Sequence, residues 1–375
     1  MPPLRTKRIL LICLALALLG LVWWISGTRS KPASAAPSGG AAAHPPVTAP
    51  PLDKPVSAAS SGSIIDSPAI AAPQSLSDLR ELLDSLPAAE AVAWIRAFLN
   101  DGRDRNTGQT FEIAADGSLK QSPTFRTFLL DALAAIDPAA AAAISRDILA
   151  EPTTADEWAL ALRNVARAED PDLTRDFLRA KTEELITNPA WQADPSIGYL
   201  NAFDVLVHTE AVESAPLLTS LVGDHDRRDL AHAAFLTLDR LVQRQPAAMI
   251  DPLAADTALA ASRPEMTAQQ IARADLRDDR QRDLVAGWLL SPDRTTTELN
   301  AFAGVFPNHN QFVSNNLLTR DTPIPGPELA AHDREVLEIV TAWQDDPAFQ
   351  TVEPQIGIMI ERLTAFTTQQ TQDPK

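Results

Sequence analysis

Hydrophobic positions along this 375-residue chain fall into three successive patterns. The first is Ile9 to Ile25, an uncharged run of 17 residues ending in Trp23, Trp24 and Ile25. At about 1.5 Å per helical residue it covers roughly 26 Å, close to the hydrocarbon thickness of a bilayer, with the tryptophans where an interfacial belt would sit. A transmembrane anchor with a short cytoplasmic tip is therefore predicted over residues 1–27. From Thr28 to Gln74 no periodicity survives: 32 of 47 residues are Ala, Pro, Ser or Gly, nine of them proline. That composition predicts a disordered linker over 28–74. The third pattern begins after Ser75 and repeats every 3.6 residues, as in Leu76, Leu79, Leu83 and Leu86, then Val92, Ile95 and Leu99.

One interruption stands out between Asp101 and Ser122. Phe111 and Ile113 alternate, Asp116-Gly117 is a hairpin turn signal, and Leu119 follows, so a small hairpin or ordered loop is expected near 101–122. Beyond Thr124 helix starts recur. Asp-Pro pairs at 137, 170, 194, 251 and 346 place a capping carboxylate before a proline suited to the first helical position. Thr154 with Glu157, Thr267 with Gln270 and Thr295 with Glu298 have capping-box spacing. Helical spacing continues through Trp158, Leu162 and Val165, through Leu200, Phe203 and Val207, and through Leu230, Ala234, Leu238 and Leu241. Leu329, Val336, Val340 and Trp343, followed by Ile356, Ile360 and Leu363, predict a closing hairpin. The expected fold class is all-α: about twelve to fifteen helices of ten to eighteen residues in an irregular helical-hairpin stack. It occupies 75–366 and leaves 367–375 as a polar disordered tail.

Segments such as Asp137 to Leu149 and Asp229 to Leu241, rich in alanine and leucine at helical spacing, resemble the HEAT/armadillo class of α-solenoids over about residues 124–300. The starts keep no fixed period, so a degenerate solenoid and an irregular helical domain both stay open. The resemblance implies a binding scaffold and supplies no catalytic residues.

Charge changes the picture of partners. Residues 1–31 hold five basic and no acidic side chains, which leaves 27 basic against 49 acidic in the remainder, a net of −22. Nucleic acid is excluded as a partner for that surface. Arg5, Lys7 and Arg8 precede the apolar run while Arg29 and Lys31 follow it, which places the N-terminus in the cytoplasm and the body outside, in a bacterial periplasm. A cleavable signal peptide is the competing reading, opposed by the length of the run, its bulky end and an A-x-A match, Ala33 to Ala35, lying well beyond it. Cys13 is the sole cysteine, so the body has neither a disulfide nor a thiolate metal site.

No phosphate-binding loop, dinucleotide fingerprint, nucleophile elbow or H-E-x-x-H is present, and neither a catalytic residue nor a cofactor is assigned. For metal, the densest candidate is Asp224-His225-Asp226 with Asp229 and His232. Its histidines lie two turns apart, beyond usual ligand spacing, so the aspartates are read as caps of a helix beginning near Arg227, and no metal site is expected. Arg273, Arg277 and Arg280, interleaved with aspartates, read as locally paired charges on a solvated helix. The oddest stretch is Phe306 to Thr319. Asn308, His309, Asn310, Gln311, Asn315 and Asn316 break the helical pattern there and form the candidate binding site, since amides read ligands by directional hydrogen bonds. The competing reading is that they cap neighbouring helix ends.

The expected function is a membrane-anchored envelope scaffold that binds a protein partner. The alternative is an enzyme acting on envelope polymer with a site near 306–319. A compact pocket with perturbed carboxylates or histidines would favour the enzyme, and a broad groove without them the scaffold.

Overall fold

The computed structural model describes residues 74–311 and 316–372. The anchor Ile9 to Ile25, the linker up to residue 73 and Asn315 lie outside them. Among the described residues no helix is long and apolar enough to cross a membrane.

The described chain is all-helical apart from one antiparallel two-stranded sheet, β1 (Glu112–Ile113) and β2 (Leu119–Gln121). It forms where alternation and Asp116-Gly117 predict it, with Gly117 at φ +77°, a conformation glycine adopts without strain. Before it come α1 (Leu76–Ser85) and α2 (Ala88–Asn100). After it come α3 (Phe125–Ile136), α4 (Pro138–Ile148), α5 (Ala155–Ala168) and α6 (Pro171–Thr187). Four short helices or turns carry the chain onward: α7 (Pro189–Ala193), α8 (Ile197–Ala202), α9 (Asp204–His208) and a 3₁₀ turn, Val212–Ser214. Next are α10 (Ala215–Gly223), α11 (Arg228–Arg244), α12 (Pro246–Ala255), α13 (Thr257–Ser262) and α14 (Pro264–Ile271). The last are α15 (Asp279–Leu290), α16 (Thr296–Val305), α17 (Gly326–Asp345), a 3₁₀ turn Pro347–Val352, and α18 (Glu353–Gln372). Helices pack mostly on near neighbours in sequence, α4 on α5, α10 on α11 and α17 on α18. One continuous apolar core runs from Leu76 to Leu363.

The punctuation explains part of this layout. Asp137, Asp170 and Asp346 accept the backbone N–H bonds expected of caps, and Thr295 with Glu298 closes a full capping box. Other signals fail because tertiary partners take the side chain. Glu157 pairs with buried Arg126 instead of turning back on Thr154. Thr267 is buried inside α14 with its hydroxyl donating to the Arg263 carbonyl, and Pro252 sits within α12. Asp194 only follows α7, and Ser196 caps α8. Nor do Asp224 and Asp226 cap α11: the Asp224 carboxylate turns onto the Asp226 amide, and Arg227 takes the cap position. Helix lengths spread wider than expected, from five residues in α7 to twenty in α17. The expected tail is instead helical as far as Gln372, with the hydroxyls of Thr367 and Thr368 bonded to carbonyls one turn back.

Within the core, arginine–carboxylate pairs join elements far apart in sequence. Arg163 on α5 is fully buried and holds Asp131 of α3 at 2.6 Å, Asn164 and the Gly117 carbonyl. Arg240 on α11 holds Asp204 at 2.6 Å and Asp321 at 3.0 Å. Asp204 also accepts the backbone amides of Leu318 at 2.7 Å and Thr319 at 2.9 Å. The segment after α16 thus runs back along the stack as a strap. Arg167 reaches the carbonyls of Asp116 and Leu317, Arg320 reaches that of Ala115, and a β-carbon on Gly117 would lie 2.6 Å from the Leu317 carbonyl oxygen.

His208, at the end of α9, faces Asp204 of its own helix, Arg244 of α11 and Arg167 of α5. Burial, aided by the two arginines and opposed by Asp204, holds its imidazole below the ordinary value of 6.5. The unfolded chain therefore takes up this proton first as pH falls, so stability declines as pH drops through about 6.5. Replacing His208 by glutamine should flatten the pH dependence of the denaturation midpoint between pH 7 and 5. Identical slopes in the two proteins would rule this out.

Candidate functional site

Where the strap leaves α16 it borders a cleft of about 560 Å³. Its walls are the turn after α14 (Ala272 to Arg277), the loop Pro307 to Gln311, strap residues Arg320 to Ile324, the first turns of α17 and the end of α11. The turn after α14 is where Arg273 and Arg277 lie, so they are not on a solvated helix as their spacing predicts. Arg277 pairs locally with Asp275 at 2.7 Å, as expected, whereas Arg280 pairs with Asp251 of α12. Arg273 is buried and bidentate to Asp239 of α11, at 2.9 and 3.0 Å.

The remaining N–H groups of Arg273 position the loop, one reaching the carbonyl of Asn308 at 2.9 Å and another that of Asn310 at 2.8 Å. Asn308 is fastened a second time, through its backbone N–H to the Ala272 carbonyl and its side-chain amide to the Gln269 carbonyl at 3.0 Å. Those carbonyls belong to the end of α14 and the residue after it, so Asn308 satisfies a helix terminus, as the capping alternative expects. His309 is left projecting into the cleft.

There His309 meets α17. Its Nε2 lies 2.8 Å from Asp333 Oδ1, and His332 Nδ1 lies 2.9 Å from the same oxygen. The two imidazoles stand edge to face at 5.1 Å. Asp333 is only 1% exposed, and its second oxygen, Oδ2, is buried without a hydrogen-bond partner. His332 Nε2 faces Asp275 Oδ1 at 3.6 Å, so both of its nitrogens look at carboxylates. Burial opposes charge on His332, but contacts with Asp275 and Asp333 outweigh it and raise the imidazole to about 9. Burial likewise acts to raise Asp333, yet the two histidines hold it down to about 2. Asp275 is held well below the ordinary carboxylate range by His332 and Arg277, against the effect of its burial.

Arg244 and Arg320 also line the cleft, together with the acids Asp321 and Glu328. Among the described residues Arg320 forms no ion pair and donates to the Ala115 carbonyl, while Arg244 donates to the Arg320 carbonyl at 3.2 Å and has Asp321, an acid already bound by Arg240, as its one ion-pair partner, at 3.5 Å.

Of the six candidates, Asn308, His309 and Gln311 line the cleft. Asn310 is exposed beside it and contributes its carbonyl to Arg273. Asn316 lies at the hairpin, its carbonyl near Gly117, away from the cleft. Sequence reasoning missed His332, Asp333, Asp275, Arg244 and Arg320. His225 and His232, the densest candidates in sequence, belong to no converging ligand group among the described residues.

Compared with known proteins, the chain matches no family model, no curated protein and no solved structure.

Proposed function

We propose that this chain is an envelope protein, tethered by Ile9 to Ile25, whose solenoid-like helical body binds a partner protein by taking an acidic group of that partner into the cleft. The observation that carries this reading is the pair Arg244 and Arg320. Both residues line the cleft, Arg320 without an ion-pair partner among the described residues and Arg244 sharing Asp321 with Arg240, in a chain whose residues after 31 carry a net charge of −22. Guanidinium forks match carboxylates, and a local pair of cations within an acidic surface selects where such a group docks. The alternative, an enzyme acting on envelope polymer, is favoured by His309, His332 and Asp333 at the same cleft, with the perturbed charge states of His332 and Asp333.

The test is calorimetric titration of the detergent-solubilised full chain with a short glutamate-rich peptide, with pyrophosphate as a second probe. Saturable peptide binding weakened about tenfold or more in the Arg244→Ala, Arg320→Ala double variant is expected, a change worth about 1.4 kcal/mol. Peptide binding that is absent, or unchanged in the double variant, overturns the reading. Binding of pyrophosphate in preference to peptide would shift it from a protein partner to a phosphorylated ligand.

A further inference from the structure

His309, His332 and Asp333 form the one group of three metal-ligating side chains among the described residues whose donor atoms converge, all within 4.8 Å of one another. Asp333 Oδ1 stands 2.8 Å from one imidazole nitrogen and 2.9 Å from the other. Ligand atoms sharing a tetrahedral zinc at 2.0–2.1 Å lie about 3.3 Å apart, so each imidazole nitrogen would withdraw from Asp333 Oδ1 by about half an ångström to make room for the ion. Two further features point the same way. Asp333 Oδ2 is buried and has no hydrogen-bond partner, a costly arrangement that a cation would relieve. His332 turns its far nitrogen to Asp275, the carboxylate–histidine–metal relay that fixes a ligand's tautomer and orientation. An imidazole facing a carboxylate at each nitrogen needs two protons, or one proton and a metal.

We propose that His309 Nε2, His332 Nδ1 and the Asp333 carboxylate bind a divalent ion of the zinc class, oriented by Asp275, with a fourth coordination position open to the cleft. Two imidazoles with one carboxylate favour zinc over calcium or magnesium, which prefer all-oxygen shells. Three protein ligands with an open position is the arrangement of zinc sites that bind or activate a further molecule. The site does not depend on the cleft's arginine pair, since neither Arg244 nor Arg320 takes part.

The full chain, solubilised in detergent, stripped with chelator and dialysed, would be titrated with Zn²⁺ by calorimetry and with Co²⁺ by visible absorption. One equivalent of each should bind, with Co²⁺ giving the intense bands of a four-coordinate site. His309→Ala and His332→Ala should each weaken Zn²⁺ by about 100-fold or more, and Asp275→Asn by about 10- to 100-fold. His225→Ala and His232→Ala should change nothing. Should the α17 variant fail to fold, His309→Ala, in a loop, carries the test alone, with its helical circular dichroism matched to the parent. Absence of saturable Zn²⁺ binding, parent-like binding by His309→Ala, or loss of binding in the His225 or His232 variants overturns the proposal. The Arg244→Ala, Arg320→Ala protein should retain Zn²⁺, so failure of peptide binding and failure of metal binding remain separate results.

Discussion

Replacing Arg240 by methionine should lower the unfolding free energy by about 3–5 kcal/mol, because it removes one member of a buried ionic cluster and leaves the others behind. Asp204 and Asp321 are 7% and 9% exposed; Asp204 would lose its ion-pair partner and Asp321 would keep only Arg244, at 3.5 Å. Methionine keeps much of the aliphatic bulk, so the loss reports charge more than cavity. In a body of this size the melting temperature should fall by roughly 5–8 °C. Combining Arg240→Met with Asp204→Ala should recover part of the loss, since the second change removes one of the stranded charges. A single variant within about 1 kcal/mol of the parent in denaturant unfolding would contradict the buried network.

Arg273→Met should cost a similar amount, and it should also undo the site. Asp239 is 1% exposed and would retain only the side-chain amides of Gln243 and Gln270 as donors. Losing a buried charge partner of this kind costs about 3–5 kcal/mol. The carbonyls of Asn308 and Asn310 would lose their shared anchor at the same time, and His309 its fixed approach to Asp333. Arg273→Lys should restore only part of the stability, because an ammonium cannot grip both Asp239 oxygens and two carbonyls at once. Denaturation midpoints of the three proteins check the first effect, and the exchange rate of the His309 ring protons by NMR checks the second. A lysine variant equal to the parent in both would remove the bidentate argument.

Legibility in the sequence followed the range of each interaction. Periodicity and local turn chemistry act within a few residues, so Leu76 to Leu83, the Asp116-Gly117 hairpin and the Thr295–Glu298 box appear in the structure as read. Glu157 and Thr267 carried the same local signatures and were drawn elsewhere, one by Arg126 and the other by burial within α14. The loop at 306–319 was identifiable because its amides break the helical pattern, and it does border the cleft through Asn308, His309 and Gln311. What completes the site was not identifiable. Asp224-His225-Asp226 and His332-Asp333 are alike as strings, and only the fold brings His309 to the second and, among the described residues, no converging ligand group to the first. Arg273 likewise read as one charge on a solvated face. Its partner Asp239 lies on a separate helix, and no spacing rule joins them.

The strap changes how this chain can come to its native state. Stacks of helical hairpins ordinarily fold by extension, each unit settling on the one before it, and tolerate shortening at either end. Here Arg320 bonds to Ala115, 205 residues earlier, and Thr319 completes a cluster begun at Asp204. Helices α3 to α11 emerge from synthesis with a hairpin, a buried arginine and a buried aspartate all waiting for a segment made much later. Closing such long loops carries an entropic cost that local helices do not bear, and it slows the last step of folding. The body is sequential in its packing and indivisible in its assembly, and a fragment ending at Val305 would be an unfinished protein rather than a shorter stack.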